Sequence, residues 1–213
     1  MRIPLAKEGL VFILPSLALS LLLLWFQHHI LASLCFLLCL FFVYFFRNPN
    51  RVAAHDSADL IAAADGKVLQ IEEMGEEEFL KGRALRVTTF MGLADVHVNR
   101  SPCDAVVSRM AHVPGRYGLA FRKDVEKSNE RNYILLEKGD EKFLLVQVAG
   151  FLARRIHCWI REKDTIKKGD PLGIIAFGSR VDVYIPPGYE IMVQLRQRVK
   201  SGVTPLARKK GAL

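Results

Sequence analysis

The sequence predicts a mainly β protein: a β-rich sandwich with barrel-sandwich-like halves, preceded by an N-terminal hydrophobic α-helical hairpin. Three observations predict it. Residues 10–46 contain no Asp, Glu, Lys or Arg, so the opening stretch is a different material from the rest. Beyond Phe46, short runs alternate apolar and polar residues with the period of two that a half-buried strand requires. Glycine-containing turn signals separate those runs. The 167 residues after Phe46 suffice to bury a core without disulfides or a structural metal.

In chain order, Leu10–Phe26 and Ile30–Phe46 are apolar runs of 17 residues each, separated by Gln27-His28-His29. At helical rise each reaches about 25 Å, near the lower limit for crossing a bilayer. The apolar region is too long and doubled for a signal peptide, and it lacks a small-residue cleavage site. Arg2 and Lys7 precede the runs and Arg47 and Arg51 follow them. Under the positive-inside tendency this favours a hairpin in the cell membrane with both ends, and the domain that follows, on the cytoplasmic side. One long tilted helix and a re-entrant pair are the competing arrangements. His28 and His29 read as interfacial turn residues, and Phe41-Phe42-Val43-Tyr44-Phe45-Phe46 suits a bilayer interface.

Asn48-Pro49-Asn50 ends the helical region. Strands are expected at Lys67–Glu72, Ala84–Thr89, Val96–Asn99, Tyr133–Glu137, Phe143–Val148 and Val181–Ile185. Asp65-Gly66, Lys138-Gly139-Asp140 and Lys168-Gly169-Asp170 mark turns. Helix is expected only in Gly150–Arg161 and around Phe121–Arg131. Ala64–Val68 and Ile166–Gly173 resemble the paired half-motifs of lipoyl and biotinyl carriers. No Met-Lys-Met-type hairpin lies between them, so that likeness bears on architecture rather than on a carrier function. The expected domains are a membrane-anchoring hairpin (1–46), a β domain (47–195) and a basic tail (196–213).

Of the formal charge of +8, residues 1–46 and 47–195 contribute +1 each and the last 18 residues +6. The surplus belongs to the tail. Beside a membrane segment, that tail fits an anionic leaflet better than nucleic acid, which would call for interleaved aromatics. The four cysteines form neither a C-x-x-C pair nor a disulfide framework, which fits a reducing compartment.

Two clusters could carry chemistry. Gly178-Ser179 joins two strand-like runs. Glycine allows a strained turn and close approach to its carbonyl, and the following serine can swing its hydroxyl onto that carbonyl. Most Gly-Ser pairs are only turns. In Ala94-Asp95-Val96-His97, a strand would put Asp95 and His97 on one face, where a carboxylate can fix an imidazole's tautomer. A solvated strand face has the same pattern. Asp65, before Gly66, is by default a turn residue.

Six blocks stand in order along the chain: Phe45-Phe46-Arg47-Asn48-Pro49, Ala64-Asp65-Gly66-Lys67-Val68, Asp95-Val96-His97-Val98-Asn99-Arg100-Ser101-Pro102, Asn129-Glu130-Arg131-Asn132, Gln147-Val148-Ala149-Gly150 with Ala153-Arg154-Arg155-Ile156, and Phe177-Gly178-Ser179-Arg180. Taken together they resemble the phosphatidylserine decarboxylases of the short, membrane-anchored type. The resemblance implies a proenzyme that cuts itself between Gly178 and Ser179. It implies a large β chain (1–178), a small α chain (179–213) and a covalent pyruvoyl group, the pyruvate cofactor, made from Ser179. That group would form a Schiff base with phosphatidylserine and yield phosphatidylethanolamine and carbon dioxide, with no metal.

By the resemblance, Asp65 matches a position implicated in self-cleavage and His97 one implicated in proton handling, with His97 expected as the acid/base of decarboxylation and Asp95 or Asp65 orienting or polarising. From their own chemistry, Arg154 and Arg155 are candidates to hold a lipid phosphate or substrate carboxylate, and a surface basic pair has the same pattern. The resemblance further implies the lipid bilayer as a partner, a homodimer of the αβ unit and no nucleic acid. One departure stands out: longer members carry a second histidine three residues after the first, where this chain has Arg100. Either His97 serves both reactions or the serine is activated differently. The rival from another class is a membrane-anchored adaptor or carrier module without catalysis. A zinc peptidase would need His-x-His, which the chain lacks.

Overall fold

The computed structural model describes residues 4–51, 59–115, 129–150, 155–176 and 179–211, and it separates into two compact units, Met1–Asn50 and Arg51–Leu213. In the first unit, a short 3-10 turn (Lys7–Gly9) leads into α1 (Leu10–Trp25), which packs against α2 (His29–Phe45). The turn between the helices closes where Gln27 takes a positive φ of 59° and the His28 N–H reaches the Leu23 carbonyl at 2.9 Å.

The hairpin buries small and hydroxyl side chains beside Ile13 and Phe45 and turns its leucines outward, unlike a water-soluble helix pair. Ser16, Ser20 and Cys39 are buried, and the Ser20 hydroxyl donates to the Ala32 carbonyl across the interface at 2.8 Å. Leu14, Leu21, Trp25, Ile30 and Leu37 point outward and are more than half exposed. Small and hydroxyl side chains at a helix interface, with leucines on the outside, are how helices pair in lipid. Lys7–Trp25, 19 residues, is long and apolar enough to cross a membrane, whereas His29–Phe45 is shorter. At the base of the hairpin Phe46 stacks on Phe12 with ring centroids 5.5 Å apart. A Cβ on Gly9 would lie 2.6 Å from that Phe46 ring, so only glycine fits.

The second unit is antiparallel β throughout its described ladders. Eight strands form one curled sheet in the order β13-β2-β3-β11-β7-β6-β5-β9. In chain order they are β2 (Gly66–Glu76), β3 (Gly82–Met91), β5 (Ala105–Val113), β6 (Arg131–Lys138), β7 (Glu141–Val148), β9 (Thr165–Ile166), β11 (Ser179–Ile185) and β13 (Arg198–Val199). A three-stranded sheet joins β1 (Asp59–Ile61), β14 (Pro205–Lys209) and β12 (Tyr189–Ile191). Another joins β4 (Val98–Arg100), β10 (Pro171–Ile175) and β8 (Ile156–Cys158). The main core lies on one face of the large sheet and includes Val68, Val87, Phe143, Leu145, Val181, Val183 and Ile185. A smaller apolar cluster around Phe79, Leu144, Val146 and Tyr184 covers part of the other face.

The mainly β class with an apolar helix pair in front is as the sequence predicts. Two local expectations differ, and a third lies mostly outside the described residues. Val96–Asn99 is a strand only from Val98 onward, because Gly92–Asp95 closes a turn in which the Asp95 carboxylate accepts the Gly92 N–H at 2.9 Å. In Gly150–Arg161, residues 151–154 lie outside the described residues and Ile156–Cys158 is strand instead of helix. Its partner β10 explains this: Gly173 has no Cβ, so the His157 carbonyl can approach to where a Cβ would lie only 2.2 Å away. Of Phe121–Arg131, residues 121–128 lie outside the described residues and Arg131 opens β6. The basic residues 196–213 contribute β13 and β14.

Candidate functional site

Ser179 is the first residue of β11, the strand at the middle of the large sheet, flanked by β3 and β7. A strand alternates its side chains, so Ser179 shares the main-core face with Val181, Val183 and Ile185, while Arg180, Asp182 and Tyr184 face the other way. Ser179 is 0% exposed, and its Oγ has no hydrogen-bond partner among the described residues. Gly178, the other half of the predicted cleavage pair, lies outside the described residues.

His97 precedes β4 and is also completely buried. β4 pairs with β10, and the Ile175 N–H at the end of β10 donates to the His97 carbonyl at 3.4 Å. Ile175 lies four residues before Ser179, so this pairing brings the imidazole's backbone beside the segment that leads to the serine. The ring's Nδ1 lies 2.9 Å from the Asp95 carbonyl oxygen. A carbonyl can only accept, so Nδ1 carries the hydrogen and the lone pair of the neutral ring sits on Nε2. That is the tautomer a general base needs.

Asp95 holds the imidazole through its main chain, not through its carboxylate. The carboxylate accepts from the Gly92 N–H and from Arg198 Nη2 at 2.8 Å. The period-two argument from sequence misplaced it because the chain turns at Gly92–Asp95 before the strand begins.

A row of buried amides backs the serine. Asn132 Nδ2 donates to Gln147 Oε1 at 2.9 Å, Gln147 Nε2 donates to Asn99 Oδ1 at 2.8 Å, and Asn99 Nδ2 reaches Met91 Sδ at 3.4 Å. Met91 is the cross-strand neighbour of Ser179. The row links β6, β7, β4 and β3 at one end of the sheet. Sequence reasoning quoted Gln147 and Asn132 only as parts of blocks. A glutamine at a core-facing position of the apolar strand Phe143–Val148 was the signal, since a buried amide requires partners.

Asp65 sits before β2, joined by the Arg51 guanidinium at both carboxylate oxygens and by the Ser201 N–H at 2.8 Å. Burial pushes its carboxyl up, but Arg51 and Ser201 outweigh it and hold it below the usual carboxylate range. In the sequence Arg51 stands out only as a charge flanking the apolar runs, and Ser201 only as part of the basic tail. Arg100, at the position of the missing second histidine, is buried and donates to the Gly169 carbonyl at 2.9 Å.

Arg154 lies outside the described residues, and Arg155 is exposed just before β8. Arg86, Arg131 and Arg180 line a cleft of about 590 Å³ on the sheet face opposite Ser179, where Arg180 pairs with Asp182 at 3.0 Å. Among the described residues no group of His, Cys, Asp or Glu could hold a metal ion. Burial pushes the Cys103 thiol up to about 12, so it stays protonated at neutral pH.

Fold and site together define a mainly β chain with a buried serine, a buried histidine and a row of buried amides, carrying an apolar helical hairpin in front. The family model described as "Phosphatidylserine decarboxylase" matches residues 38–207. The phosphatidylserine decarboxylase proenzyme of Carboxydothermus hydrogenoformans is 42% identical over 182 residues, 85% of each chain. That of Desulfotalea psychrophila is 37% identical over 208 residues, 97% of each chain. That of Syntrophus aciditrophicus is 38% identical over 203 residues, 94% of this chain and 95% of that one. The chain belongs to the phosphatidylserine decarboxylase family, whose members are carboxy-lyases.

Proposed function

We propose that the chain is a proenzyme that cuts itself between Gly178 and Ser179, and that the product decarboxylates phosphatidylserine to phosphatidylethanolamine in the membrane. The observation that carries this reading is Ser179 Oγ: a hydroxyl 0% exposed, without a hydrogen-bond partner among the described residues, on the strand that follows β10. An orphaned buried hydroxyl costs about 1–3 kcal/mol, which ordinary packing would select against and a reacting group would justify.

In the proposed reaction His97 Nε2 takes the Ser179 proton as Oγ attacks the Gly178 carbonyl. The peptide bond becomes an ester, and the freed amine stays on residue 179. Removal of the Cα proton then expels the Gly178 carboxylate. The resulting dehydroalanine tautomerises to an imine, and water releases ammonia from it, leaving a pyruvoyl group on the fragment 179–213. The burial of Ser179 and His97 and the row of buried amides that ends on Met91, the cross-strand neighbour of Ser179, support such a group there.

A pyruvoyl carbonyl supplies the electron sink for the pair released with carbon dioxide. The chain's own part is then to hold the head group, exclude water and return a proton, for which His97 is the candidate, its carbonyl bonded by the Ile175 N–H four residues before Ser179. The Asp95 carbonyl keeps its tautomer fixed, and Asp65 supports the strand beneath it. Arg155, with Arg154, remains the sequence-based proposal for lipid phosphate.

The apolar exterior of the helix pair supports attachment to the bilayer. Lys7 and Arg47 at its base support a cytoplasmic position for the catalytic unit. The test is a denaturing gel of wild type and Ser179→Ala. Wild type is expected as two fragments, and the alanine variant as one chain of 24.0 kDa. An adaptor module without catalysis would run intact in both.

A further inference from the structure

Resting on the self-cleavage reading, we propose that Arg51 and Ser201 are positioning residues for that reaction, holding Asp65 as a fixed anchor under the strand that follows His97. The Asp65 oxygens are committed. Oδ1 accepts from Arg51 Nη1 and from the Ser201 N–H at 2.8 Å, and Oδ2 accepts from Arg51 Nη2 at 2.8 Å. A planar guanidinium meeting both oxygens is the strongest geometry open to an arginine and a carboxylate, and lysine cannot reproduce it.

Arg51 Nη1 also donates to the Ser201 carbonyl at 2.7 Å and to its hydroxyl at 3.0 Å. The Ser201 hydroxyl in turn reaches the Val98 carbonyl at 3.5 Å, one residue beyond His97. The Arg100 N–H bonds the Ala63 carbonyl at 2.8 Å and the Gly202 N–H bonds the Ala62 carbonyl at 2.9 Å. Gly202, at a φ of +74°, leaves room for Arg100: a Cβ there would lie 2.9 Å from Arg100 Cδ. The segments 62–65, 98–100 and 201–202 are thus tied at one buried point. Arg51 and Asp65 come from the future large fragment and Ser201 from the small one, so the tie bridges the cut.

In such an arrangement Asp65 acts through position and charge balance, not by exchanging protons. The two roles predict opposite outcomes in a double-mutant cycle. The full chain would be synthesised in the presence of vesicles and the rate of fragment appearance followed. Arg51→Gln should slow cleavage about 10–100-fold, the range typical of partners that orient a functional group. Adding Asp65→Asn to it should restore several-fold, because the uncompensated charge is gone.

Arg51→Gln should also raise the apparent pKa of the group that governs cleavage, since Asp65 is no longer neutralised, and the double variant should return it. Arg51→Lys should stay slow. Ser201→Ala, the mildest change, should slow cleavage several-fold while thermal unfolding of the chain stays close to wild type. The proposal is overturned if Arg51→Gln cleaves at the wild-type rate. It is equally overturned if Asp65→Asn is as inert as Ser179→Ala and the double variant gains nothing. An unshifted pH profile, with losses that only track unfolding, would reduce the cluster to a structural tie. If wild type itself never cleaves, it is the functional reading that fails.

Discussion

A hydroxyl in a dry core is tolerated when it is bonded and costly when it is not. Ser179 Oγ is of the second kind among the described residues. Replacing it by alanine should therefore leave the fold at least as stable as the wild-type precursor while abolishing cleavage. Thermal unfolding of Ser179→Ala beside His97→Gln, which this account expects to remain uncut as well, would check this, with the alanine variant expected to melt no lower. Asp65 gives a pH prediction. Its carboxyl is depressed in the folded state, so the unfolded chain binds the proton first. The stability it supplies is full above its ordinary value of 3.8 and is lost as pH falls through the lower folded value. The stability gap between wild type and Asp65→Asn, measured by urea unfolding, should be widest at neutral pH and close in acid.

Of these residues, sequence singled out Ser179, His97, Asp65 and Asp95. Their weight came from resemblance, since the spacing of Asp95 and His97 argued for a carboxylate–imidazole contact that the Gly92–Asp95 turn does not make. Arg51 and Ser201 were not legible as site residues. Their partner Asp65 lies 14 and 136 positions away, a separation that no local pattern encodes.

Among the elements, the long strands were readable because each has one face in the core and one outside, which writes a period of two into the sequence. β8 was not. It is three residues long, and its strand character comes from β10 and the bare backbone of Gly173 rather than from its own side chains. Asp65-Gly66 was read as a turn, and the backbone explains the glycine. Gly66 has a φ of +141°, and a Cβ there would lie 1.9 Å from the Phe90 carbonyl oxygen. Gly66→Ala should cost more than about 2 kcal/mol in denaturant unfolding, because strain and overlap with backbone add. Gly139 is the control: its φ is +59° but the space around it is open, so Gly139→Ala should cost only about 1 kcal/mol. Equal losses at the two sites would contradict the close approach at Gly66.

At the scale of the whole molecule, the chain divides into two compact units, Met1–Asn50 and Arg51–Leu213. The basic C-terminal stretch was less transparent. Its lysines and arginines are exposed, yet between them Val199, Leu206 and Ala207 are buried in the β unit's core. Attachment to lipid should therefore rest on the hairpin: removing residues 1–46 is expected to abolish co-sedimentation with neutral vesicles. Retained sedimentation would assign attachment to the β unit.

The central claim is therefore best tested by intact mass measurement of the purified wild-type protein. The account predicts a fragment of 35 residues, 179–213, lighter by about 17 Da than one starting with serine, the mass of the ammonia lost. A single uncut chain of 24.0 kDa, or a fragment that still begins with serine, would contradict it.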